Sequence, residues 1–242
     1  PISGITLAIV DDPSDRRLEA DLAVYPPVPQ IFEADWSGFT GQACIGWDYV
    51  LLRREFRRRS PRPLNDPPVV LVTMGGSDPA GLTLLALEAL RGIDTPFRAR
   101  VVLGKAFLHD GALETLRPTL PERFEFLRDV SDMPSLMAGA DLALAAFGGT
   151  AYELAAARVP AILLGLTEDH ARSAGALAAA GMAVSLGDFR GVTADAVASA
   201  IRELLDDPSR RSAMSAACSP VDGRGAERVA RLIFERSVFF NG

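Results

Sequence analysis

Asp141-Leu-Ala-Leu-Ala-Ala-Phe-Gly-Gly-Thr-Ala-Tyr-Glu153, then Val159-Pro-Ala-Ile-Leu-Leu-Gly-Leu-Thr-Glu-Asp-His170, then an alanine-rich run ending at Gly181, decides the fold class of this chain. An apolar run (Leu142–Ala146) meets a glycine pair, Gly148-Gly149, and a helix-like segment begins at once. A second apolar run (Ala161–Leu164) meets the polar turn Thr167–His170 and another helix-like segment. The pattern is strand, tight turn, helix, twice over. Each such turn sets backbone N–H groups and the positive end of a helix dipole beside the end of a strand, where phosphate and sugar-nucleotide groups bind.

The same alternation extends upstream. Val69–Thr73 reads as a strand closed by Gly75-Gly76-Ser77-Asp78-Pro79, with Asp78 as helix N-cap, Pro79 in the first helical position and a helix over Ala80–Leu90. Ala99–Leu103 and Phe124–Leu127 are further strands, each followed by a short helix (Gly111–Leu116, Met133–Ala138). Thr193–Leu205, Ser209–Ala217 and Arg224–Phe234 close the chain as helices. Strand–helix alternation over 69–185 predicts an α/β fold with a doubly wound parallel sheet.

The first 60 residues are sparser: strands at Ile5–Val10 and Asp21–Val24, a proline-rich loop, the segment Gly46–Arg53 and a basic run Arg53–Arg59. Pro61–Pro68 holds four prolines without periodicity and reads as a linker. The expected organisation is a partial N-terminal α/β domain over 1–63 and a nucleotide-binding domain over 64–242, with the last helix available to pack back on the first. Two or three strands do not close a doubly wound sheet, so we expect the chain to be the C-terminal part of a longer protein.

With 242 residues and a 48% hydrophobic fraction the chain can bury a substantial core. A formal charge of −6 argues against a generic nucleic-acid binder. The basic residues are almost all arginine, and Lys105 is the only lysine. No Gly-Lys-Ser/Thr occurs, so P-loop hydrolysis has no candidate residues. Cys44 and Cys218 suggest neither a disulfide framework nor a zinc site. No apolar run approaches the roughly 20 residues of a membrane span, and no signal peptide opens the sequence, so a cytoplasmic location is expected. The oligomeric state is open.

Two glycine turns at the ends of parallel strands fall on one sheet edge with the 167–170 loop, which makes Gly75, Gly76, Ser77, Gly148, Gly149, Thr150, Glu168, Asp169 and His170 candidates for a phosphate-bearing ligand. Competing readings stand beside this one. Thr150 and Glu153 have capping-box spacing; Glu153 is equally placed to accept from a ribose diol. Glu168-Asp169 suit a helix start, while His170 beside them has the chemistry of a general acid or base. His109 falls in a polar loop and is expected to be exposed. Asp11-Asp12 reads as a turn ending a strand, with cation binding as the alternative.

Several motifs together resemble a known family. Gly46-Trp-Asp-Tyr49-Val-Leu-Leu52-Arg53 with Phe56 resembles the Gly-x-x-Tyr-x-x-Leu-Arg-x-x-Phe segment of the nucleotide-sugar hydrolase of pseudaminic acid biosynthesis. Gly75–Pro79 with Thr83, Phe126–Met133, Ala140–Leu142, Gly148–Thr150 with Glu153, and Val221-Asp222-Gly223 fit the same pattern. That enzyme cleaves UDP from UDP-2,4-diacetamido-2,4,6-trideoxy-β-L-altropyranose and is related to the GT-B glycosyltransferases, among them the transferase that adds N-acetylglucosamine to peptidoglycan lipid I. The resemblance implies a GT-B-like fold and a UDP-sugar substrate. It places the Val130 backbone at the uracil, Glu153 at the ribose, the two glycine turns with Asp78 around the diphosphate and sugar, and implies no cofactor or metal. The family's catalytic histidine lies in a Gly-x-Gly-His loop that has no counterpart here, so the catalytic residues are unassigned. Where the family carries Glu-Asn-Gln and Asn-Ala, this sequence has Glu168-Asp169-His170 and Ser173-Ala174, so a different hexose, or transfer in place of hydrolysis, is open. A GT-B glycosyltransferase and a non-catalytic nucleotide-sugar-binding protein are the alternatives.

Overall fold

The computed structural model describes residues 5–57 and 64–239. They form two compact units, one of 5–57 with 220–239 and one of 64–219. The chain begins with β1 (Ala8–Val10), β2 (Leu22–Tyr25), α1 (Pro29–Glu33) and β3 (Gln42–Ile45). The second unit runs β4 (Val69–Thr73), α2 (Leu82–Arg91), β5 (Arg98–Leu103), α3 (Asp110–Leu116), β6 (Phe124–Arg128) and α4 (Met133–Ala138). It continues through β7 (Leu142–Ala146), α5 (Gly149–Ala156), β8 (Ala161–Gly165), α6 (Glu168–Ala179), β9 (Ala183–Asp188), α7 (Ala194–Asp206) and α8 (Pro208–Ala217). The last helix, α9 (Gly225–Phe239), falls in the first unit.

The larger sheet has six strands in the order β6-β5-β4-β7-β8-β9, parallel at every pairing. Its central strands are apolar but for Thr73 at the end of β4, because both faces are covered, and β4, β7 and β8 are buried at every position. Val70, Val72, Leu142, Leu144, Ile162 and Leu164 share one cluster with Leu82, Ala86 and Leu90 of α2 and Val197, Ile201 and Leu204 of α7. Leu71, Ala143, Ala145 and Leu163 alternate with them and face the other way, equally buried, on the side where α5 and α6 pack against β7 and β8. That packing is tight: a Cβ on Gly165 would lie 2.7 Å from the Ala171 Cα, so only glycine fits.

Helix ends that meet the core are capped by arginine. The buried Arg211 donates from Nη1 to the carbonyls of Leu204 and Leu205 at the end of α7. Arg123 donates from Nη2 to Leu90 (3.2 Å) and Ile93 (2.7 Å) after α2, its guanidinium lying 4.1 Å from the Phe97 ring centroid. Both donate to carbonyls at or just past a helix end, where no i+4 N–H follows to satisfy them.

In the first unit, β1-β2-β3 form a three-stranded parallel sheet. Val229, Leu232 and Ile233 of α9 pack with Leu22, Val24 and Cys44. Two of the motifs singled out in the sequence meet here. A Cβ on Gly223, whose φ is +69°, would lie 3.0 Å from the Phe56 carbonyl oxygen, and one on Gly225 would run into the Val50 carbonyl. Arg228 ties them further, donating to the Asp48 carbonyl (2.9 Å) and to Asp222 Oδ1 (2.6 Å).

Several local expectations are corrected. The first strand is Ala8–Val10, shorter than Ile5–Val10, and neither β3 nor β9 is read from the sequence. Asp11 and Asp12, by contrast, form the turn expected of them: Asp11 has φ +52°, its N–H donates to the Val24 carbonyl, and Asp12 Oδ1 accepts from the Ser14 N–H. Residues 64–68 of the expected linker are anchored, because the Asn65 Nδ2 donates to Asp141 Oδ2 (2.8 Å) and to the Gly139 carbonyl (3.2 Å). Positions 61–63 of that linker, and 58–59 of the basic run, lie outside the described residues.

Candidate functional site

The chain leaves β4 for β5 and β6 on one side and returns to β7, β8 and β9 on the other. The winding reverses between β4 and β7, and in open α/β sheets such a reversal leaves a crevice beyond the strand C-termini. The last β4–β7 pair is Thr73 with Ala145, and the two glycine turns follow immediately, Gly75-Gly76-Ser77 and Gly148-Gly149-Thr150. Cβ atoms placed on Gly75, Gly76, Gly148 or Gly149 would meet nothing within 4 Å. At Gly75 the φ of +83° itself favours glycine. At the other three it is the open space, and not a neighbouring group, that the small residue provides.

The β4 turn is braced from β5. Gly104 lies so close to Gly76 that a Cβ on it would collide with the Gly76 backbone. The Ala106 N–H donates to the Gly76 carbonyl (3.1 Å) and the Leu108 N–H to the Ser77 carbonyl (3.2 Å). Asp78 belongs to this framework and not to a free surface. It is buried, with φ +47°, and its carboxylate accepts from the N–H groups of Leu82 and Thr83, both at 2.8 Å. The helix therefore starts at Leu82 behind Gly81, and neither Asp78 as adjacent N-cap nor Pro79 as first residue is realised. Asp78 nonetheless caps α2 from further upstream, which commits its carboxylate to structure. Its carbonyl receives His109 Nε2 at 2.8 Å, and the His109 ring packs 5.7 Å from Phe107. His109 is thus half-buried and engaged, not solvent-exposed.

The β7 turn is arranged differently. Gly148 is the N-cap of α5 and, as a glycine, offers no capping side chain of its own. Thr150 consequently lies inside the first turn, so the capping box with Glu153 does not form. The Ala151 N–H donates to the Gly148 carbonyl (2.9 Å), so the N–H groups left without an intrahelical acceptor by geometry are those of Gly149 and Thr150, at the open glycines. Glu153 is half-buried one turn along. Phe147, which the sequence reading passed over, joins this turn to the next: its ring lies 5.8 Å from Tyr152 and 5.6 Å from His170.

At β8 the N-cap of α6 is Thr167, which accepts from the His170 N–H at 3.2 Å. Glu168 and Asp169 occupy the first helical turn and are exposed. The His170 Nδ1 is buried without a partner among the described residues. Val130 is half-buried in the loop between β6 and α4, after Asp129 (φ +50°), and Asp132 there caps α4 through the Ser135 N–H. The turns Gly75–Ser77, Gly148–Thr150 and Thr167–His170 thus follow the adjacent strands β4, β7 and β8 on one edge of the sheet. Among the described residues no group of His, Cys, Asp and Glu is disposed to hold a metal ion.

At the end of β9, Arg190 holds the half-buried Asp188 carboxyl at about 2 through its side-chain and backbone hydrogen bonds. Because the folded-state value is depressed, the pairing contributes above the ordinary carboxylate range and is lost as pH falls through about 2. A carboxyl-detected NMR titration is expected to show that midpoint, and Arg190→Ala, which removes the guanidinium but keeps the backbone donor, to raise it part of the way toward about 3.9.

The fold is that of the GT-B glycosyltransferases. The crystal structure of Acinetobacter baumannii MurG superposes with a TM-score of 0.66 at 21% identity, over 89% of this chain and 61% of that one. The spinosyn rhamnosyltransferase SpnG complexed with thymidine diphosphate gives 0.63 at 18% identity, over 88% and 56%. Among curated proteins, the Bacillus subtilis spore coat polysaccharide biosynthesis protein SpsG is 28% identical over 193 residues, 78% of this chain and 57% of that protein. The Xylella fastidiosa UDP-N-acetylglucosamine–N-acetylmuramyl-(pentapeptide) pyrophosphoryl-undecaprenol N-acetylglucosamine transferase is 32% identical over 181 residues, 71% and 49%. The chain thus spans about half the length of these relatives. No family model matches it. No helix among the described residues is long and apolar enough to cross a membrane.

Proposed function

We propose that this chain carries the nucleotide-sugar site of an enzyme that breaks the bond between an anomeric carbon and UDP. The observation that carries the reading is the pair of open glycine turns flanking the β4–β7 reversal. Their backbone N–H groups and the start of α5 would receive the diphosphate and stabilise the charge that UDP gains as it departs. Neighbouring parallel strands are about 4.8 Å apart, so a nucleotide sugar lying along the edge would put its base near Val130 beside β6 and its hexose near Glu168–His170 beside β8. Glu153, on the helix between them, would accept from the ribose hydroxyls. The likeness to a sugar-nucleotide transferase from Xylella and to a thymidine-diphosphate-bound rhamnosyltransferase supports glycosyl transfer to an acceptor hydroxyl.

Hydrolysis, as in the pseudaminic acid pathway, is the second reading. It is favoured by the contact of the Gly46–Phe56 segment with Val221-Asp222-Gly223, since both belong to the motif set of that hydrolase. Titration calorimetry with UDP tests the common core of both readings. Saturable binding is expected, weakened about ten- to hundred-fold by Glu153→Ala as a charged acceptor is removed. A folded wild-type chain that does not bind UDP overturns it. Release of UDP from a UDP-sugar by the full-length protein, with and without an added acceptor, separates transfer from hydrolysis.

A further inference from the structure

The sheet edge that would receive the diphosphate is poor in positive charge. The loops after β4, β6, β7 and β8 carry no lysine or arginine at 74–81, 129–132, 147–148 or 166–167. Arg128, closing β6, is paired with Asp110, and Arg190, after β9, is paired with Asp188. Asp129, Glu168 and Asp169 are exposed there and make the edge acidic. The loop after β5 supplies one cation, Lys105, exposed and without an ion-pair partner among the described residues. It is also the only lysine in a chain whose other basic residues are arginines.

Its position is fixed by the framework already described. Lys105 lies between Gly104, which touches Gly76, and Ala106, whose N–H bonds to the Gly76 carbonyl. The backbone on either side of it is therefore clamped onto the β4 glycine turn, while the four-carbon stem remains free to swing. We propose that Lys105 is the charge partner of the diphosphate, its ammonium closing over the phosphates that the two glycine turns hold. The proposal rests on the nucleotide reading given above. It adds to that reading a residue from the loop after β5, outside the resemblance and outside the glycine turns. A lysine fills the role as a compact, rotatable point charge on a flexible stem. A doubly negative ligand would otherwise approach exposed carboxylates with only N–H dipoles in its favour.

Two measurements on the full chain test this. By calorimetry, Lys105→Gln is expected to weaken UDP about ten-fold, to flatten the salt dependence of binding, and to leave any uridine binding unchanged. Lys105→Arg should restore most of the loss. Because the chain has one lysine, its acetylation by an N-hydroxysuccinimide ester can be followed by mass spectrometry, and saturating UDP should slow it while uridine does not. UDP bound normally by Lys105→Gln, or an acetylation rate indifferent to bound UDP, overturns the lysine's role and leaves the nucleotide site standing. A wild-type chain that fails to bind UDP overturns both.

Discussion

Gly149→Leu is expected to abolish measurable UDP binding, a loss of more than about 100-fold, while moving the unfolding midpoint by no more than about 2 °C. Gly149 is the first residue of α5 and exposed, and a Cβ on it meets no protein atom within 4 Å. Leucine is also the better helix former, so the fold has no reason to resist it. What the side chain would fill is the space from which a diphosphate approaches the free N–H groups of the helix. Calorimetry and a thermal scan on the same sample separate the two effects. Retained UDP affinity would mean that the glycine pair is a strand-to-helix connection and nothing more. Gly104 offers the opposite control, since any side chain there strikes the Gly76 backbone and must disturb the fold itself.

Asp141→Ala is expected to cost about 3 kcal/mol of stability, seen as a fall of about 6–12 °C in melting temperature. Asp141 is 2% exposed. Its Oδ2 accepts from the Val69 N–H and the Asn65 Nδ2, both at 2.8 Å, and its Oδ1 from the Asn65 N–H at 3.3 Å. Alanine would leave the buried Val69 N–H without a partner at the start of the central strand and release the segment that leads into it. Asp141→Asn keeps one acceptor oxygen and should lose about half as much. Urea unfolding followed by far-UV circular dichroism reads both, and a midpoint unchanged in the alanine variant would show that the carboxylate contributes nothing net.

These two residues also mark where the sequence could and could not be read. The β7–α5 turn is legible because its signals are local: a continuous apolar run, two glycines, then helical spacing. The parallel sheet follows from repeating that pattern, and with it the convergence of the turns on one edge. The Asp141–Asn65 contact joins residues 76 apart, and no local spacing announces it, which is why 64–68 reads as a free linker. The same holds for Gly104 against Gly76 and for Phe147 against His170, contacts made only once neighbouring strands are paired. Asp78 fails for a different reason: its positive φ inserts an extra turn before the helix, so a capping residue sits four positions from the N–H it satisfies. Thr150 and Glu153 have the spacing of a capping box, but the helix starts two residues too early for it to form. β9 escapes because its polar and small residues, Ser185 and Gly187, leave it half-buried and without a continuous apolar run.

Because α9 returns to the three-stranded sheet, the six-stranded unit is spliced into the first unit as an insert with its two ends at 64 and 219. A stop codon after 219 would leave all six of its strands and the helices α2–α8 in place. The same truncation would strip Leu22, Val24 and Cys44 of the helix that covers them, and free Val50 and Phe56 from Gly223 and Gly225. Damage at the C-terminus of this polypeptide is therefore felt at its N-terminal strands, some 200 residues away in sequence.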